Sequence, residues 1–154
     1  MLSPDQPAVR SLLRRSMIVQ VATLSPKQRP FVTPLWFVVH RGILYITTGP
    51  ETWAGKNIQR HPDVTLLFYG ERARRHGQVL RLHGTATCHH GLPSWAVLLR
   101  IAAKYYAAPG ALRTELRNAG KWKLRTLYYG QAKGGFGHVR VVPSAGELLA
   151  RPAD

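Results

Sequence analysis

The 154-residue chain holds one cysteine, Cys88, and only 7 acidic residues against 22 Lys and Arg. A lone cysteine excludes an internal disulfide and a multi-cysteine zinc site, and it suits a reducing compartment such as the cytoplasm. The acid deficit leaves a formal charge of +15, so the expected partners are anionic: phosphorylated cofactors, nucleic acid, acidic tails or membrane surfaces. Long apolar runs are missing too. Stretches such as Trp95 to Leu99 are cut by charges well short of the ~20 residues that cross a bilayer, so no membrane span is expected. Met1-Leu2-Ser3-Pro4-Asp5 lacks a basic region followed by an apolar one, and no secretory signal is expected either. No internal repeat and no acid-base residue pair stand out. The length fits one domain that buries about two-thirds of its unfolded surface.

What is present is a series of short strands and helices. Residues 5 to 15 read as a helix with Val9, Leu12 and Leu13 on one side and Arg10, Arg14 and Arg15 on the other. Met17 to Leu24 alternates as a half-buried strand, and Ser25-Pro26-Lys27-Gln28-Arg29-Pro30 turns it into the next. Val64 to Tyr69 and Gln78 to Cys88 are further strands, joined by the polar segment Gly70 to Gly77. Ser94 to Tyr106 is helical by the spacing of Trp95, Leu98, Leu99, Ala102 and Tyr105. Pro109-Gly110 breaks it before a second short helix, Ala111 to Asn118. His138 to Val142 closes the pattern as a last strand, with a weakly patterned tail from Pro143. Strands joined by short turns point to an antiparallel barrel or sandwich.

Residues 30 to 62 carry the strongest signal. Phe31 to Val39 reads as one strand, yet Pro34 within it cannot donate to a ladder, so something other than a full neighbouring strand should face its backbone. A tight His40-Arg41-Gly42 hairpin leads into the strand Ile43 to Thr48. Thr47-Thr48-Gly49-Pro50-Glu51-Thr52 then opens a helix that stops at His61-Pro62. Hydroxyls at a helix start suit an anion, because free amides and the helix dipole favour negative charge. The plainer role for Thr47, Thr48 and Thr52 is capping.

Other features have plain readings. Cys88-His89-His90 has metal-ligand residue types, but neighbours at a strand end alternate in direction and no further ligand has a matching spacing. Gly134-Gly135-Phe136-Gly137 lacks the dinucleotide-binding spacing and reads as a turn. The basic runs Arg72 to His76 and Lys121 to Arg125 read as solvated faces, or, with Trp122 and Tyr128, as a nucleic-acid groove. Trp36, Trp53 and Trp122 are packed aromatics or pocket walls.

Five pieces in this order resemble the pyridoxamine-phosphate-oxidase-like family of flavin and deazaflavin oxidoreductases. They are Val21-Ala22-Thr23-Leu24 before its turn; Arg29-Pro30 with Pro34-Leu35-Trp36-Phe37-Val38; Leu44-Tyr45-Ile46-Thr47-Thr48-Gly49; Asn57-Ile58 with Pro62-Asp63-Val64; and Gly84-Thr85-Ala86. The resemblance covers roughly the first 90 residues. It implies a mainly β (α+β) fold: a six- to seven-stranded antiparallel split β-barrel with flanking helices, one domain over 1–154 and a helical insertion at about 93–118. It also implies a homodimer that binds FMN or coenzyme F420 and passes a hydride to or from a small organic substrate. The cofactor carries that chemistry, so no catalytic side chain is required. Thr33, Pro34, Leu35 and Trp36 would lie along the ring, and Thr47, Thr48, Thr52, Lys56 and Asn57 near the phosphate. The basic composition tilts the choice toward F420, whose polyglutamate tail and phosphodiester are anionic.

One position departs from the family pattern. A lysine is expected three residues before Asn57, where this chain has Ala54, and Lys56 is two residues further on. Two helical residues are about 200° of rotation, so Lys56 cannot simply replace it. This leaves open a split-barrel protein without a redox role that binds haem or another planar anion. A nucleic-acid-binding module is the third reading.

Overall fold

A computed structural model describes residues 6–69, 79–106 and 136–149. In order these form α1 (Pro7–Arg15), β1 (Val19–Leu24), β2 (Pro30–Leu35), β3 (Phe37–His40), β4 (Ile43–Ile46), α2 (Trp53–Arg60), β5 (Asp63–Tyr69), β6 (Val79–His90), α3 (Trp95–Tyr105) and β7 (Gly137–Leu149). The seven strands make one antiparallel sheet in the order β2-β1-β5-β6-β7-β4-β3. This is the mainly β, split-barrel class expected, with three flanking helices among the described residues.

The order explains the curl. β2 and β3 are consecutive in sequence but lie at opposite edges of the sheet. Leu35 pairs with Val19 on β1, while Phe37 pairs with Ile46 on β4. Only Trp36 separates the two ladders, so the sheet must bend until its edges meet at that residue. The expected single strand Phe31 to Val39 is therefore two strands. Pro34 sits opposite Gln20 on edge strand β2, the position in a sheet where proline is tolerated.

Local chemistry sets the turns. Arg41 (φ 51°) and Gly42 (φ 75°) form the two-residue loop between paired His40 and Ile43, the left-handed pair that such hairpins use. Thr52 caps α2 by accepting from the Gly55 N–H at 3.1 Å. Pro62 follows its end.

β7 runs to Leu149, further than Val142, and pairs with β6 along its length. Pro143 is tolerated in this interior strand because it faces Gly84 at a register shift, a bulge that needs no ladder donor there. The core lies inside the curl: Val19, Val21, Phe37, Leu44, Ile46, Leu66, Phe68, Leu80, Leu82, Val139 and Val141 are buried, closed by Val9, Leu12 and Leu13 of α1 and Ile58 of α2. Phe37 and Phe68 meet edge-on with centroids 4.9 Å apart. Each such side chain contributes about 1.5–3 kcal/mol by leaving water. The expected helix 111–118 and the basic runs 72–76 and 121–125 lie outside the described residues.

Candidate functional site

The break at Trp36 is held by α3. The Tyr105 hydroxyl accepts the Phe37 N–H at 2.9 Å and lies 2.8 Å from the carbonyl oxygen of Met17 and 2.9 Å from that of Phe37. Its ring stacks on the Trp36 indole, with centroids 4.5 Å apart and planes 10° from parallel. Tyr106 meets the same indole edge-on at 6.4 Å. Burial pushes the Tyr105 hydroxyl up to about 12. Beside it, the Lys104 ammonium lies 3.6 Å above the Phe37 ring and donates to the Phe37 carbonyl at 3.2 Å. Burial lowers its pKa to about 8.

A cavity of about 620 Å³ opens against this assembly, within the range of sites that enclose a small ligand. Leu35 and Trp36 form its base, Tyr45 and Ile46 of β4 one side, and Leu98, Ile101 and Tyr106 the helical side. Leu92, Pro93 and the Phe136–His138 segment complete the apolar part. Thr47, Thr48, Gly49, Glu51 and Thr52 form a polar end.

That polar end is fixed by close approach. A Cβ on Gly55 would stand 2.2 Å from the Gly49 carbonyl oxygen, and one on Gly137 would stand 2.4 Å from Pro50 Cδ. The Gly49-Pro50 turn is thus clamped between α2 and β7, and neither glycine can carry a side chain without moving it. Gln59 Nε2 donates to the Pro50 carbonyl at 2.8 Å and ties down the same turn.

The nine residues singled out in the sequence separate into two groups. Leu35, Trp36, Thr47, Thr48 and Thr52 line the cavity; Thr33, Pro34, Lys56 and Asn57 are outside its wall. Lys56 is exposed and sits 3.6 Å from the Glu51 carboxylate. Asn57 is buried, and its amide donates to the Thr23 hydroxyl at 3.0 Å, joining α2 to β1. Ala54 is also buried. Trp53 is exposed and outside the wall. Sequence reasoning missed Tyr45, Ile46, Glu51, Tyr106 and His138; the first three lie within residues 30–62 beside the threonines, and Tyr106 and His138 arrive from distant segments.

Cys88, His89 and His90 diverge. The Cys88 thiol, its pKa raised by burial, lies 3.5 Å from the Gly55 carbonyl, whereas His89 stacks on His138 at 5.1 Å. Burial, then the neighbouring His138 and Arg140, lower the His89 pKa. His138 Nδ1 lies 3.1 Å from the Gly91 carbonyl, a contact in which the ring nitrogen must donate. Among the described residues no three His, Cys, Asp or Glu side chains group to hold a metal, and no helix is long and apolar enough to cross a membrane.

Residues 5–129 match the family model described as pyridoxamine 5'-phosphate oxidase. The chain belongs to this family. Among solved structures, a pyridoxamine 5'-phosphate oxidase-related, FMN-binding protein from Nostoc punctiforme is 20% identical, with a TM-score of 0.62 over 97% of this chain and 85% of that one. An F420 reductase is also 20% identical, with a TM-score of 0.62 over 90% and 94% of the two chains. The haem storage protein HutZ from Vibrio cholerae is 14% identical, with a TM-score of 0.59 over 97% and 95%. At these identities the likeness is one of fold. No curated protein matches the chain.

A flat tricyclic ring fits the apolar part of this family member's cavity, which offers aromatic and branched walls on three sides. The phosphate of a flavin nucleotide does not find a match at the polar end. Among the described residues no Lys or Arg lines the cavity, and Glu51 does.

Proposed function

We propose that this family member binds a flavin or deazaflavin ring, as found in FMN or coenzyme F420, in the cavity against Trp36, and that it is an oxidoreductase. When bound, the ring would exchange a hydride with a small organic substrate. The protein's own part is to orient the ring and exclude water. Trp36, Tyr45, Ile46, Ile101 and Tyr106 supply the dry walls, and the Tyr105 ring, stacked on the indole, keeps Trp36 in place. The observation that carries this reading is the cavity itself: a largely apolar space of about 620 Å³ whose base is the residue joining the two sheet edges.

The reading extends to a cytoplasmic homodimer with the cofactor at the subunit interface. Leu92 and Phe136 support it, since both line the cavity and remain more than half exposed, at 64% and 52%. A second subunit would cover such residues.

A second reading is supported by His138, which lines the same cavity with Nδ1 engaged by Gly91. The other ring nitrogen then has a lone pair, which suits the iron of a haem. On that reading the protein would hold a planar anionic ligand without redox catalysis.

The visible absorption spectrum of freshly purified protein separates these readings, because flavin, deazaflavin and haem have different bands. Reduction or oxidation of a bound flavin or deazaflavin by a nicotinamide or organic donor supports the enzyme reading. A Soret band that disappears in His138→Ala supports haem instead.

A further inference from the structure

The polar end of the cavity has an unusual hydrogen-bonding character. Thr52 Oγ1 lies 2.8 Å from the Gly49 carbonyl oxygen, so its one proton points there. Thr48 Oγ1 is 2.9 Å from Thr52 Oγ1, and with the Thr52 proton already engaged Thr48 must be the donor. The Gly55 N–H fills a further lone pair of Thr52. Thr47 Oγ1 is 3.3 Å from the Trp36 carbonyl, which likewise requires its proton. All three hydroxyl protons therefore serve protein acceptors.

What Thr47 and Thr48 have left is lone pairs. Glu51, next to them in the wall, is an acceptor when ionised. It is also the one wall residue with a full charge among the described residues, in a chain with 22 basic and 7 acidic residues. Trp53 and Ala54, the first two residues of α2, are outside the wall. The nearby cation, Lys56, pairs with Glu51 from outside.

We propose that this end of the cavity is an acceptor site, which selects a flat-ring ligand bearing a neutral polyol chain and disfavours the same ligand carrying a phosphate there. Hydroxyl groups on such a chain donate to Thr47, Thr48 and Glu51. A phosphate brings only acceptors and a like charge. This deepens the ring-binding reading and rests on it.

The test is a titration of the full-length protein with riboflavin and with FMN, followed by quenching of flavin fluorescence. The expected result is riboflavin binding about five-fold tighter than FMN, a difference set by one partly screened charge at the surface. Glu51→Gln should narrow that ratio toward one, and Lys56→Gln, which removes the carboxylate's ion-pair partner, should widen it. FMN binding as tightly as riboflavin or tighter, with the ratio unmoved by Glu51→Gln, overturns this inference and leaves the ring reading standing. Failure of both ligands to bind overturns the ring reading, and this inference with it.

Discussion

The Tyr105 hydroxyl accepts the Phe37 N–H at 2.9 Å, 68 residues away in sequence and one residue past the point where β2 gives way to β3. A strand that leaves one ladder for another at Trp36 would otherwise expose polar backbone groups inside the curl. One hydroxyl satisfies the amide and approaches two carbonyls, while its ring holds the indole that forms the cavity base.

Tyr105→Phe keeps the ring and removes only the hydroxyl. A buried N–H then has no partner, which costs about 1–3 kcal/mol. Urea unfolding should show a lower midpoint with an unchanged slope. Ligand affinity should fall less than in Trp36→Ala, because the aromatic stack remains.

Lys104 and Tyr105 together should shift the stability maximum into alkaline solution. Lys104 has its folded pKa lowered from 10.5 to about 8, so between these values the unfolded chain binds more protons and stability rises with pH. Tyr105 has its folded pKa raised from 10.0 to about 12, so its contribution is complete below 10 and is lost as pH climbs toward 12. Thermal unfolding should be most resistant near pH 10. Lys104→Met should flatten the rising limb, and Tyr105→Phe the falling one.

Asn57→Ala should separate packing from binding. Losing the buried bond to Thr23 costs about 1–3 kcal/mol, while ligand affinity should be unchanged because Asn57 is outside the cavity wall. Parallel unfolding and titration curves check both halves.

Gly55→Ala should do the opposite. Its methyl meets the Gly49 carbonyl and Pro50 at 2.2–2.8 Å, so the turn carrying Thr48 and Glu51 must move. The expected stability loss is about 1–3 kcal/mol, accompanied by weaker ligand binding.

Much of this was legible locally. The α1 stripe, the Arg41-Gly42 loop, the Thr52 cap and the Pro62 stop each depend on a few neighbouring residues, and the family pieces added the barrel. Two features were not. The run Phe31 to Val39 is continuous in β-forming residues, and its division at Trp36 comes from Tyr105 and from closure of the sheet. Pro143 reads as the end of a strand, but a bulge opposite Gly84 carries β7 past it. In the cavity wall, the threonines stood out as hydroxyls just before a helix start, whereas Leu35 and Trp36 were named only through the resemblance to the family. Lys56 and Asn57 could not be placed from spacing, since helix phase decides whether a residue faces the cavity, the core or solvent. The walls from α3 and β7 depend on contacts between segments far apart in sequence.

The central claim is that the cavity takes a flat flavin-type ring against Trp36. Its most direct test is a titration of the wild-type protein and Trp36→Ala with riboflavin, FMN and F420, followed by ligand fluorescence. Saturable one-to-one binding that weakens about ten-fold or more in Trp36→Ala, a loss of about 1.4 kcal/mol or more, is the expected result. No saturable binding of any of the three below the millimolar range, or equal binding by the two proteins, would contradict it.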